Sequence, residues 1–374
     1  MRYQHAWEDV PTDQIPADNQ DNLEKCIHRS LELGINHIET ARGYGTSEFQ
    51  LGRILPTLPR EKMMVQTKVA PNKETDKFLK TFDQSMSNLR LDYVDLFSLH
   101  GINNTETLHH SLKKGGCLEA ALRLREQGRC RHIGFSTHGP LPVLLDAVNS
   151  GLFDYINLHW YYIFQRNWPV IEAARRHDMG VFIISPSDKG GMLYKPSPKL
   201  AKLCEPVSPM IFNDLFCLLR PEVHTLSIGA AKPTDFDEHC RALEFLPQAE
   251  KITHEIDGRI RAAMQEALGE DWFNPYVDSI PEWDGIPGEI NVREIVRLWS
   301  WAKGLDMVEF GKMRYNLLGH GDHWFPGNPA ETVQEEVLFE KIKSHPRASR
   351  IIPILREAHE LMKGDPKERL SKGD

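Results

Sequence analysis

From Asp21 to about residue 250, short apolar runs alternate with stretches whose apolar residues recur every three or four positions. The runs INHIET, MMVQTKV, YVDLFSLH, CRHIGFST, YINLHW, GVFIISP and TLSIGA, starting at residues 35, 63, 93, 130, 155, 180 and 225, predict seven strands. Between them, segments such as KFLKTFDQSMSNLRL and PVIEAARRHDM carry helical spacing. Repeated βα units imply a parallel sheet with helices outside it. A doubly wound sheet is the rival architecture, but no GxGxxG follows any strand. The pattern therefore predicts an α/β fold of the (β/α)8 TIM type with one strand short. Residues 1–20, ahead of the first helix, are rich in Asp, Glu, Pro and Gln and hold no run fit for a buried strand, so the first strand is expected to be missing from this chain.

After residue 250 the pattern changes. NVREIVRLWSWAKGL and DMVEFGKMRYNLLG predict helices, and RIIPILREAHELM predicts another after Pro353. Pro, Gly and Trp crowd between Asp271 and Gly288, as in a linker packed by aromatics. Five of the eight tryptophans (272, 283, 299, 301 and 324) fall in this half, which marks a packed helical domain with Trp299 and Trp301 among its anchors. Residues 1–250 are thus expected to form the barrel and residues 251–374 a helical extension.

Length supports two units, because single cores stop growing at roughly 250–300 residues. A net charge of −8 argues against nucleic acid or an anionic membrane as the main partner. No apolar run approaches the roughly 18 residues of a membrane helix, and the start lacks the apolar core of a signal peptide. Six cysteines scattered without a CxxC pair suit reduced thiols, and a cytoplasmic location is expected.

Candidate chemistry gathers at predicted strand ends, where barrel enzymes place their sites. In GINHIETARGYGTSE, Glu39 ends the first run and Tyr44 sits between two glycines in a tight connection. Lys68 lies near the end of the next strand, where a buried ammonium needs a carboxylate partner, and Glu39 is the neighbour that fits. An ammonium nearby makes a phenol a better proton donor. His100 ends the third strand and suits orienting a carbonyl oxygen or relaying a proton. A Glu–Lys pair inside a barrel can be purely structural, and so can one His at a strand end; four such residues in register point to catalysis. HGDHW, with His320, Asp322 and His323, reads as a surface loop rather than a metal site. Of the GG pairs at 115 and 190, only the second follows a strand, where glycine lets a backbone approach a phosphate.

The order Gly34-Ile-Asn, Glu39-Thr-Ala, Tyr44-Gly, Ser47-Glu, Thr67-Lys and Leu99-His100 resembles the aldo/keto reductase family. The likeness continues through IGFS, FDYIN, IISP and IGAAKPTDFDEH, and so covers about residues 21–245. HGINN and RYNLLG resemble the branch that carries a C-terminal ferredoxin-like helical extension. The resemblance implies a barrel that binds NADP(H) or NAD(H) in extended form and transfers hydride between it and a small-molecule aldehyde, ketone or alcohol. It makes Tyr44 the general acid, Lys68 and Glu39 its tuning pair, and His100 the carbonyl-orienting donor. It assigns Ser136 and Asn157 to the nicotinamide amide, Ser185, Lys189 and Gly190 to the pyrophosphate, and Gly229, Lys232 and Glu238 to the adenosine end.

The chain departs from the family at three points. The acid before Thr-Ala is usually Asp, one methylene shorter than Glu39. The region that grips the adenosine 2′-phosphate has one basic residue, Lys232, and an acid, Asp235, so a weaker preference for NADPH is expected. No cysteine follows residue 240, which removes the ligands of the branch's iron–sulfur cluster. A nicotinamide-binding regulatory or scaffold protein with little turnover is the alternative reading. Family members place a hairpin and a strand before the first loop, so Met1 is expected to be an internal methionine with a strand-rich segment encoded upstream.

Overall fold

The computed structural model describes residues 4–269 and 280–367. Trp272 and the first half of the linker expected between Asp271 and Gly288 lie outside the described residues.

Seven parallel strands form one sheet: β1 (His37–Glu39), β2 (Met64–Val69), β3 (Val94–His100), β4 (Cys130–Ser136), β5 (Tyr155–Leu158), β6 (Gly180–Ile184) and β7 (Thr225–Ser227). Each pairs only with its neighbours in chain order, and β1 and β7 are the two edges. This is a nearly closed TIM-type barrel with the predicted number of strands. The edges explain a burial gradient: β3 is buried at every position, whereas all three residues of β7 are half-buried.

Helices cross over between strands. They are α1 (Ala17–Glu32), α2 (Ser47–Ile54), α3 (Thr75–Leu89), α4 (Thr105–Leu112), α5 (Cys117–Glu126), α6 (Leu141–Asn149) and α7 (Trp168–Arg176), then α8 (Pro198–Cys204), α9 (Pro209–Leu218) and α10 (Asp235–Glu244). Beyond these lie α11 (Ala249–Leu268), α12 (Val292–Leu305), α13 (Val308–Tyr315), α14 (Glu335–Ile342) and α15 (Ala348–Met362).

The first helix starts earlier than the stretch read as its lead-in. Pro16 precedes it in extended conformation and Asp18 lies in its first turn, so the start signals were present at residue 17. Helix α15 also starts five residues before Pro353, not after it. Its buried face runs through Ile351, Ile354, Leu355, Ala358 and Met362, and burial on both sides of the proline outweighs the hydrogen bond Pro353 cannot make.

The chain divides into two compact units. Among the described residues, the first comprises 4–186 and 217–246 and contains all seven strands. The second comprises residues 187–216, 247–269 and 280–367. Residues 187–216 therefore group with the C-terminal helices, whereas the sequence pattern assigns them to the barrel. Hydrogen bonds explain this: Ser197 Oγ donates to Leu305 O at 2.6 Å, and Arg259 Nε donates to Leu203 O at 2.8 Å. In the second unit Trp299 and Trp301 on α12 are buried, and glycines set the closest approaches. A Cβ on Gly304 would lie 2.1 Å from Met264 Sδ, and one on Gly311 would lie 2.6 Å from Met362 Sδ. His323 and Asp322 sit in a 3-10 turn, and no group of three or more His, Cys, Asp or Glu among the described residues is placed to hold a metal. No described helix is long and apolar enough to cross a membrane.

Candidate active site

Strand parity builds the site. Side chains two apart on a strand share a face, so Glu39, Lys68, His100, Ser136 and Asn157 all turn to the inside of the barrel near the strands' carboxyl ends. Pairing carries them around the ring: Lys68 is opposite Ser98, His100 opposite Ser136, and Ser136 opposite Asn157.

The connection after β1 brings Tyr44 to the same place. Thr40 N and Arg42 N still donate to β2, at Gln66 O and Lys68 O, and then Tyr44 N closes a turn onto Ala41 O. Gly45 takes φ +53°, and a Cβ there would meet Ala6 O at 2.3 Å. Only glycine lets the chain pass beneath residues 6–8 and enter α2 directly. Thr40 Oγ1 and Ser47 Oγ, 2.7 Å apart, clasp the loop's two ends. Glu48, wholly buried, accepts from Thr67 Oγ1 at 2.5 Å and so ties α2 to β2; burial pushes its carboxyl above the ordinary range.

Four residues singled out in the sequence meet here. Lys68, 1% exposed, donates to Glu39 Oε1 at 2.5 Å and to Thr40 O at 3.0 Å. Burial works against its ammonium, but Glu39 and Tyr44 outweigh that and hold Lys68 above its ordinary range. Burial likewise opposes the Glu39 carboxylate, and Lys68 with His37 draws it below the usual range. The Lys68 ammonium lies 5.0 Å from the Tyr44 ring centre, and the Tyr44 and His100 rings meet edge to face at 5.5 Å. Trp7 closes the other side of Tyr44 at 5.7 Å. Glu39 spans further: Asn157 Nδ2 donates to its second oxygen at 3.5 Å.

The remaining candidates are spread more widely. Ser136, buried at the end of β4, accepts from Gly101 N at 3.1 Å, next to His100. Ser185 follows β6 with φ +55°, and Gly229 follows β7. Lys232 is exposed, and Glu238 is half-buried on α10. Lys189 and Gly190 lie in the second compact unit. Asp235 fills the turn before α10, its carboxylate accepting from Ala231 N at 2.8 Å and Lys232 N at 3.2 Å.

A polar layer beneath these residues was not singled out in the sequence. His37, Gln66, Ser98 and Tyr155 each precede a site residue by two on its strand. Gln66 donates to Ser98 Oγ and to Asn157 Oδ1, both at 2.8 Å, while Ser98 and Tyr155 hydroxyls are 2.8 Å apart. A Cβ at Gly134 would lie 2.6 Å from the Tyr155 ring, so that glycine makes room for it inside the barrel. The signal was available: polar residues at i−2 on four strands that already carried a candidate.

The sequence profile of the Aldo/keto reductase family matches residues 11–204, more than half of the chain. The chain belongs to the aldo/keto reductase family. It is 30% identical over 147 residues to an aldo-keto reductase of Mycolicibacterium smegmatis, covering 38% of this chain and 50% of that one. It is 32% identical over 155 residues to the L-galactose dehydrogenase of Arabidopsis thaliana, covering 38% and 47%. The chain thus spans about half the length of the curated relatives it matches. Among solved structures it resembles an aldo-keto reductase from Bacillus halodurans in its holo form (TM-score 0.56, 20% identity, 64% of this chain and 87% of that one). An aldo-keto reductase from Klebsiella pneumoniae in complex with NADPH gives a TM-score of 0.52 at 17% identity, covering 67% and 89%. These two share the barrel fold.

Proposed function

We propose that the protein is a nicotinamide-dependent carbonyl reductase or alcohol dehydrogenase, with Tyr44 as its proton donor. The observation that carries this reading is the buried Glu39–Lys68 pair beside Tyr44, the ammonium 5.0 Å from the Tyr44 ring centre, with His100 against the ring. The Lys68 ammonium beside the ring favours the phenolate, which makes the Tyr44 hydroxyl a better proton donor to a substrate oxygen. Glu39 keeps Lys68 charged in a buried place, and His100 orients the carbonyl. The donor set fits a nicotinamide carboxamide: Ser136 and Asn157 stand opposite one another in register, and the Asn157 nitrogen makes only a long contact, with Glu39. When bound, the nicotinamide supplies or takes up the hydride at the carbonyl carbon.

Ser185, Lys189, Gly190 and Gly229 remain assigned to the cofactor's phosphates and adenosine by resemblance, with Lys232 and Glu238. The Asp235 carboxylate, already holding two amides of the turn before α10, supports a weaker preference for NADPH over NADH than the family shows. The second unit is assigned to the ferredoxin-like extension without its cluster, and reduced, scattered cysteines support a cytoplasmic location. Isothermal titration with NADPH and NADH, followed by cofactor oxidation with a panel of small aldehydes, tests the reading. Binding of either cofactor with aldehyde-dependent oxidation is expected. Absence of cofactor binding would overturn it, and binding without turnover would favour a regulatory role. A preference for NADPH above about 100-fold, roughly 2.7 kcal/mol, would overturn the role given to Asp235.

A further inference from the structure

The polar layer beneath the site has a direction. An ionised carboxylate can only accept hydrogen bonds, so Glu39 Oε2 meets Asn157 through the amide nitrogen at 3.5 Å. That turns Asn157 Oδ1 toward Gln66, whose Nε2 donates to it at 2.8 Å. Gln66 Oε1 is then left for His37 Nε2, 3.0 Å away, which has to carry the proton. The second N–H of Gln66 goes to Ser98 Oγ at 2.8 Å, and the Ser98 and Tyr155 hydroxyls share a hydrogen bond at 2.8 Å. Turning the Gln66 amide over would set its oxygen against Asn157 Oδ1 at that same short separation, and two acceptors repel. Gln66, Ser98, Tyr155 and Asn157 are buried, so an unmet polar group among them costs its whole desolvation.

We propose that Gln66 is a positioning residue that locks the Asn157 carboxamide with its nitrogen toward Glu39 and the barrel mouth, so that Asn157 meets the cofactor as a hydrogen donor to the nicotinamide carbonyl oxygen. This rests on the nicotinamide reading of the site. Gln66 touches neither substrate nor cofactor; it acts through Asn157. The same chain assigns the neutral Nε2–H tautomer to His37, held by an acceptor on one side and packed edge to face on Phe182 at 5.4 Å on the other.

Two measurements decide the proposal. In the wild-type protein, the imidazole nitrogen shifts of His37 at neutral pH should report the proton on Nε2; a proton on Nδ1 alone would overturn it. In Gln66→Met and Gln66→Glu, the dissociation constant for the better-bound of NADPH and NADH should rise at least ~10-fold, because the donor to Asn157 is gone. The kcat at saturating cofactor should change less than ~3-fold, since the proton donor is untouched. Unchanged cofactor binding in both variants, or a loss confined to kcat, would overturn the proposal while leaving the reductase reading standing. Failure of the wild type to bind either cofactor would overturn both. Should the variants not fold, the His37 tautomer still decides.

Discussion

At the scale of single residues, the site is a buried ion pair with a phenol attached to it. Replacing Tyr44 by Phe removes the proton donor and keeps the ring against His100 and Trp7. Its kcat is expected to fall at least ~10²-fold with cofactor affinity nearly unchanged, measured by steady-state kinetics and titration. Unchanged turnover would remove Tyr44 from the mechanism. The ion pair also sets a pH dependence. Glu39 has a lowered folded pKa, so its stabilisation is present above the unfolded carboxylate value and is lost as pH falls through the depressed one. Lys68 has a raised folded pKa, so its contribution is present below the unfolded lysine value and is lost as pH rises through the raised one. The pair therefore stabilises the fold across the neutral range and weakens at both extremes. Lys68→Met leaves Glu39 buried without its partner and is expected to cost about 3–5 kcal/mol near pH 7. In acid the variant's Glu39 protonates and the deficit shrinks, which urea unfolding at a series of pH values would show. A deficit independent of pH would mean that Lys68 contributes through packing alone.

At the scale of elements, strand positions were legible because each run is short, apolar and bounded by turn residues. The four catalytic candidates were legible because charge at a strand end is costly enough to need a reason. The layer beneath them shows in the sequence only when the strands are read together, since Gln66 or Ser98 alone in an apolar run means little until the polar i−2 positions of four strands meet inside the barrel, where Gln66 reaches Asn157. The grouping of residues 187–216 was hidden for a similar reason: the bonds from Ser197 to Leu305 and from Arg259 to Leu203 cross more than fifty positions of chain. Helix contacts give a prediction of opposite signs. A Cβ at Gly52 on α2 would lie 1.9 Å from Asn88 O at the end of α3, backbone that cannot yield cheaply. Gly52→Ala is expected to destabilise by about 1–3 kcal/mol. Gly258 is exposed within α11 with nothing near its missing Cβ, and Gly258→Ala is expected to stabilise by about 0.5–1 kcal/mol. Denaturant midpoints of the two variants, if shifted in the same direction, would show that the packing of α2 on α3 is looser than described.

At the scale of the whole molecule, the sheet has seven strands and two edges, and a parallel strand at an edge leaves half of its backbone groups without a strand partner. The barrel interior reaches the seam between the two edges: His37 and Glu39 on β1 are half-buried, as is Ser227 on β7. Glu39, one methylene longer than the Asp usual at this place, reaches both Lys68 and Asn157 and so ties the edge strand β1 to β2 and β5 in an open barrel. Protection against amide exchange should therefore fall outward from the middle of the sheet. Peptides covering β3 and β4 are expected to exchange slowest, and those covering β1 and β7 fastest among the strands, with rates differing by at least ~10-fold under native conditions. Shortening the acid should widen the difference: Glu39→Asp cannot reach both Lys68 and Asn157, and β1 is expected to exchange faster while β3 stays unchanged. Hydrogen exchange followed by mass spectrometry would read both effects. If β1 and β7 were as protected as β3, the seam would have to be covered on its backbone side, and the reach of Glu39 would then matter to Lys68 alone.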